Sequence, residues 1–302
     1  MRVVFMGTPE YATKILQSLL KSVEVVGIFT QPDKPVGRKQ LLTPPNVKRF
    51  LLDNGLDIPL FQPPNLKDPK IAQEIKRVQP DFIVVAAYGQ ILPKSILSIA
   101  PCINLHASLL PKYRGASPIQ QALLEGEKIT GVTAMLMDEG LDTGDILAYC
   151  AYPIKPKDTA ITLFNTLADL AAKLTPKVLQ QYQKLQALPQ WEVDASYCKK
   201  IKKSDGLVEF EDAKEIYDKY RAFIVWPGIF LASGLKLKKI ELVDTSSSNR
   251  PGRIEAIESD GVVVGCAKGR IKLLRVQPPS KREMEALDYI RGKRIGIGDT
   301  LV

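Results

Sequence analysis

The run Ile103-Asn104-Leu105-His106 holds the residue types best suited to chemistry in this chain. On an extended strand alternate side chains share a face, so Asn104 and His106 point one way and Ile103 and Leu105 the other. The apolar pair can be buried in a sheet while the amide and the imidazole are presented together at the strand's end. Asparagine is a poor strand former, so its place there needs a reason. His106 is the only histidine among 302 residues, and imidazole is the side chain that titrates nearest neutrality. The pair can offer hydrogen bonds and a proton to a ligand; a strand-end histidine with satisfied bonds is the competing reading. The second candidate is Gly140-Leu141-Asp142-Thr143-Gly144-Asp145. Two glycines around carboxylates make a tight loop that can carry Asp142 or Asp145 to a ligand. The same residues also suit an ordinary hairpin turn.

The elements that must position these residues follow from the apolar pattern. Val3–Met6, Val25–Thr30, Ile58–Phe61, Phe82–Ala87 and Ile103–Leu105 read as strands, and Tyr11–Leu20, Val47–Leu52 and Ile71–Val78 as helices. Strand and helix alternating at this spacing predict an α/β fold: a Rossmann-like, mostly parallel sheet with helices on both faces. Ligands of such sheets bind beyond the carboxyl ends of the strands. Thr130–Met137 and Ile146–Ile154 should pair as a hairpin across Gly140–Gly144. A long helical pattern follows Asp158, and Pro176 is expected to split or kink it. The periodicity fades around Leu188–Gly206, where Lys199, Lys200, Lys202 and Lys203 cluster. We therefore divide the chain into a first domain at 1–189, a linker at 190–206 and a second domain at 207–302. In the second domain one helix (Ala213–Ile224) precedes short strands punctuated by Ser233-Gly234, Asp260-Gly261 and Lys268-Gly269. That cadence predicts a small, OB-like β-barrel.

The bulk numbers fit two globular domains. The net charge of +9 favours an anionic partner, and the excess is shared: 21 Lys+Arg against 16 Asp+Glu in residues 1–189, and 21 against 17 in the rest. Four cysteines lie tens of residues apart and form no C-x-x-C pair, so with one histidine no metal site is expected. Met1 runs directly into a strand-like segment and no apolar stretch approaches a membrane span, so a cytoplasmic protein without membrane contact is expected.

With Ser108-Leu109-Leu110-Pro111 following Asn104-x-His106, and Asp142 in a distant Gly-rich loop, the chain resembles the folate-dependent formyltransferases. Within that superfamily it is most similar to the branch acting on methionyl-tRNA. The supporting segments are Phe5–Glu10, Thr30–Asp33 with Pro35 and Gly37-Arg38, Lys112–Ala116 with Pro118–Gln120, and Arg221–Phe223 with Trp226-Pro227-Gly228. They run through both expected domains. One departure is Ile224-Val225, where the family usually has Asn-Pro.

The resemblance implies acyl transfer from 10-formyltetrahydrofolate to the amino group of initiator methionyl-tRNA. The substrate's amine is the nucleophile, and the tetrahedral oxyanion needs preorganised donors. The resemblance assigns those to Asn104 and His106, with Asp142 favouring the imidazolium and relaying a proton. It implies folate contacts from Ser108, Leu109, Leu110 and Pro111, and from Tyr88, Gln90, Ile91 and Leu92 in the loop after the preceding strand. The loop Gln31–Pro45, carrying Lys34, Arg38 and Lys39, would enter the tRNA acceptor stem, and Lys202 and Lys203 would add phosphate contacts. The protein is expected to act as a monomer. A formyltransferase acting on a small amine, such as an amino sugar nucleotide, would share the three central residues; the second domain and the basic loop argue against it. A non-catalytic tRNA- or nucleotide-binding protein on a Rossmann-like domain is a further alternative; Gly7-Thr8-Pro9 lacks the later glycines of the dinucleotide fingerprint, which argues against dinucleotide binding, and an assay for formylmethionine separates binding from turnover.

Overall fold

The computed structural model describes residues 1–37 and 39–301. It divides into two compact units that are not contiguous in sequence: Met1–Pro118, Ile129–Ile154 and Leu163–Lys199 in one, and Ile119–Lys128, Lys155–Thr162 and Lys200–Val302 in the other.

The first unit holds β1 (Arg2–Gly7), α1 (Glu10–Leu19), β2 (Glu24–Phe29), β3 (Lys34–Val36), β4 (Leu41–Thr43), α2 (Asn46–Asp53), β5 (Leu60–Phe61), α3 (Pro69–Arg77), β6 (Phe82–Ala86), α4 (Lys94–Leu97), β7 (Cys102–His106) and β8 (Arg114–Gly115). α5 (Pro118–Leu124) follows and lies almost wholly in the second unit's stretch. The first unit resumes with β9 (Ile129–Leu136) and β10 (Ile146–Pro153), takes in α6 (Ala160–Gln181) from Leu163 onward, and ends with β11 (Tyr197–Cys198). Its main sheet runs β10-β9-β7-β6-β1-β2-β5. The five strands from β7 to β5 are parallel, while β9 and β10 are antiparallel additions. β1 and β6 are near-continuous apolar runs buried on both faces, as a parallel sheet covered by helices requires. The mostly parallel sheet and the β9–β10 hairpin are as the sequence predicts.

Two readings of the sequence are corrected. The segment Gln31–Pro45, read as a loop, holds a short hairpin: β3 and β4 pair antiparallel across a turn with Gly37 at φ +74° and Gln40 at φ +49°. The apolar residues Val36, Leu41 and Leu42 alternate poorly and stay exposed, so no burial signal marked the strands. Pro176 does not split α6, which runs unbroken from Ala160 to Gln181. Proline deprives the Ala172 carbonyl of its helical donor. The Ser18 hydroxyl of α1 supplies one instead, at 2.6 Å.

The second unit carries α7 (Ala213–Phe223), β12 (Ile229–Phe230), β13 (Lys236–Ser248), β14 (Ile254–Ile257), β15 (Val262–Gly265), β16 (Lys268–Gln277), β17 (Met284–Glu285) and α8 (Ala286–Lys293). The Asp212 side chain caps α7 by accepting from the Lys214 and Glu215 N–H groups. The strands form an antiparallel sheet in the order β12-β13-β16-β15-β14, with β17 also on β16. Asp260-Gly261 stands at the turn between β14 and β15, and Lys268-Gly269 opens β16, its glycine at φ +78°. Residues 155–162 belong to this unit, where Arg221 donates to the Asp158 carbonyl at 3.2 Å.

Candidate active site

β7 ends at the carboxyl edge of the parallel sheet, beside β6 with Val85 opposite Asn104. Ile103 and Leu105 face the core, at 0% and 2% exposure. Asn104 and His106 are therefore thrown to the other face, toward the loop that follows β9. That loop carries Asp142 with φ at +55°. The left-handed conformation is strained for a non-glycine residue and persists only where neighbours impose it.

Asn104 Nδ2 donates to Asp142 Oδ1 at 3.1 Å. The other carboxylate oxygen accepts the Gly115 N–H at 2.9 Å and lies 3.6 Å from His106 Nδ1. The imidazole and the carboxylate are 6% and 13% exposed. His106 Nε2 sits 2.8 Å from the Tyr113 carbonyl oxygen, which can only accept, so Nε2 carries the hydrogen. The other ring nitrogen, Nδ1, faces the Asp142 carboxylate. Asp145, the other carboxylate of the loop, offers its backbone carbonyl to the Leu136 N–H. The amide, the imidazole and Asp142 are brought within one cluster.

The segments expected to contact folate leave adjacent strand ends. Ser108 is fully buried and donates to the Lys112 carbonyl, and Thr133 ties its own carbonyl down while accepting the Leu110 N–H. Leu109 and Pro111 are half-buried and Leu110 is buried. In the other loop the Tyr88 ring is 2% exposed and packs in the core cluster with Leu92, its hydroxyl pushed up to about 12 by burial. Its carbonyl receives Thr8 Oγ1 and Gln31 Nε2, so the loops after β1, β2 and β6 meet there. Gln90 is half-buried and donates to the Pro63 carbonyl, and Ile91 projects at 78% exposure. Lys34 and Lys39 are exposed on the β3–β4 hairpin of the first unit, and Lys202 and Lys203 are exposed at the start of the second unit's long stretch. Arg38 lies outside the described residues.

Sequence reasoning missed the groups that hold this cluster. Arg114 is 1% exposed, with Nε on Gln190 Oε1 at 3.0 Å and a terminal nitrogen on Glu192 at 2.8 Å and on the Tyr197 hydroxyl at 2.9 Å. Burial pulls its guanidinium toward lower pKa, and Glu192 with Tyr197 more than reverses this. β11 pairs parallel with β8, and a Cβ on Gly115 would overlap the Cys198 carbonyl, so glycine is required where the N–H reaches Asp142. Residues 190–199 of the expected linker thus hydrogen-bond within the first unit. Their apolar pattern is blank because their partners are polar and remote in sequence. Among the described residues no His/Cys/Asp/Glu group of three or more could hold a metal ion, and no helix is long and apolar enough to cross a membrane.

An α/β sheet with an amide, an imidazole and a carboxylate at its carboxyl edge defines a class, and the comparisons agree with it. The model of the formyl transferase family matches residues 1–179, and that of the formyl transferase C-terminal domain matches residues 200–294. An N-formyltransferase from Helicobacter canadensis, solved with folinic acid and dTDP-3-aminofucose, shares the fold at a TM-score of 0.69 and 20% identity, covering 90% of this chain and 98% of that one. Methionyl-tRNA formyltransferase of a Nitratiruptor species is 64% identical over 99% of both chains. That of Wolinella succinogenes is 55% identical over 99% of both. The chain belongs to the methionyl-tRNA formyltransferase family.

Proposed function

We propose that the chain moves the formyl group of 10-formyltetrahydrofolate to the α-amino group of initiator methionyl-tRNA, as a cytoplasmic monomer. The observation that carries this is the meeting of Asn104, His106 and Asp142 within hydrogen-bonding and ion-pair distances, in a chain whose full-length relatives bear that name.

The amine attacks the formyl carbon, a C–N bond forms, and the carbonyl oxygen takes the negative charge. Asn104 has a second amide hydrogen beyond the one given to Asp142, and it serves as the direct oxyanion donor. His106, held between the Tyr113 carbonyl and Asp142, lies beside the same charge. The bond from carbon to the folate nitrogen then breaks. The proton lost by the amine passes by way of Asp142, directly or through water, to that leaving nitrogen. The loops 88–92 and 108–111 seat the folate at the strand ends. Lys34 and Lys39 on the hairpin, with Arg38, Lys202 and Lys203, contact tRNA phosphates, so binding weakens with salt.

The test is to incubate the protein with 10-formyltetrahydrofolate and charged initiator tRNA and assay formylmethionine released from the tRNA. Formylmethionine is expected. Formylation of amino sugar nucleotides in its place would transfer the site to a small amine, and no product from either would remove the catalytic reading.

A further inference from the structure

Gln190 lies in the gap between the two family-model matches, in a stretch whose sequence reads as a linker. Its amide nitrogen donates to two carbonyls of the acidic loop, Asp142 at 2.9 Å and Gly144 at 2.7 Å. Its amide oxygen accepts from the buried Arg114 guanidinium at 3.0 Å. One side chain therefore joins the turn bearing the carboxylate to the Tyr113–Gly115 segment. That segment supplies the carbonyl on His106 and the N–H on Asp142. Asp142 sits in the left-handed region, a conformation that needs outside support. The Gly115 and Asn104 bonds hold its side chain; Gln190 holds its backbone. A Cβ on Gly144 would overlap the Leu136 carbonyl, so the turn closes tightly against the end of β9.

We propose that Gln190 is a positioning residue for formyl transfer, fixing the Asp142 turn in the conformation that aims the carboxylate at His106 and Asn104. The inference rests on the role given to Asp142 above. Glutamate at 190 is nearly isosteric and still accepts from Arg114, but it sets carboxylate oxygens against the Asp142 and Gly144 carbonyls.

The test compares Gln190→Glu, Gln190→Ala and Asp142→Asn with the parent protein. Rates are measured with 10-formyltetrahydrofolate and charged tRNA, and amide hydrogen exchange is followed across residues 140–146. For both Gln190 variants kcat should fall about tenfold or more with KM for each substrate changed less than about threefold. Exchange should rise in 140–146 with the thermal midpoint held within a few degrees. Parent-like kcat in a folded Gln190→Glu beside a crippled Asp142→Asn would overturn the positioning role alone. A loss confined to KM, or one matched by global unfolding in both Gln190 variants, would also overturn it. A fully active Asp142→Asn would overturn the catalytic reading itself, and the positioning role with it.

Discussion

Replacing Arg114 by methionine isolates the buried fork that joins the Tyr113–Gly115 segment of the candidate site to residues 190–197. Methionine fills a similar length of cavity without a charge. Three hydrogen bonds are lost, to Gln190, Glu192 and Tyr197. A bond to a charged partner contributes about 1.5–3 kcal/mol, and a neutral one about 1. Glu192 is 72% exposed and regains water once released, so its share falls to the lower end. Removing the guanidinium also removes the cost of burying it. The net expectation is a destabilisation of about 2 kcal/mol, measured by urea unfolding followed by circular dichroism. Lysine should recover less than half of it, because an ammonium cannot span the fork. A methionine variant within about 0.5 kcal/mol of the parent would refute the idea that this fork holds the segment in place.

Ser18→Ala should cost about 1–3 kcal/mol, because it removes the hydroxyl that donates to the Ala172 carbonyl, for which Pro176 has no N–H; in a Pro176→Ala background, where an N–H returns to the helix, the cost should shrink below about 1 kcal/mol. Burial pushes the Cys102 and Cys266 thiols up to about 12 and raises Cys198. These thiols stay protonated at pH 8, so in the folded protein a thiol reagent should modify the half-buried Cys150 first. All four should react in denaturant. The Ser247 N–H, with Arg270, holds the Asp244 carboxyl well below the usual range. A depressed folded pKa contributes stability above the unfolded value of about 3.9 and loses it as pH falls further. Asp244→Asn should therefore be less stable than the parent at pH 7, with the difference closing below about pH 4.

What was legible in the sequence is what depends on local pattern. Val3–Met6 and Phe82–Ala87 announced buried parallel strands because both faces had to be apolar. Asn104 and His106 stood out because a two-residue period placed polar groups beside a buried pair. Asp142 was one of two carboxylates in a turn until the resemblance chose it, and the geometry puts it, 3.6 Å from the ring, in the cluster. The segment 190–199 was illegible for a physical reason: Gln190, Glu192 and Tyr197 act through polar bonds to Arg114, 76 to 83 positions away in sequence. Such bonds leave no periodicity. The uninterrupted α6 was hidden likewise, since Pro176 is accommodated by Ser18 from another helix.

The convergence at His106 is tested most directly by single-turnover formyl transfer, with enzyme in excess over charged initiator tRNA and saturating 10-formyltetrahydrofolate. His106→Ala, folded by circular dichroism, should lower the transfer rate by about 10²–10⁴. A rate within about threefold of the parent would contradict the assignment of the ring to the transition state.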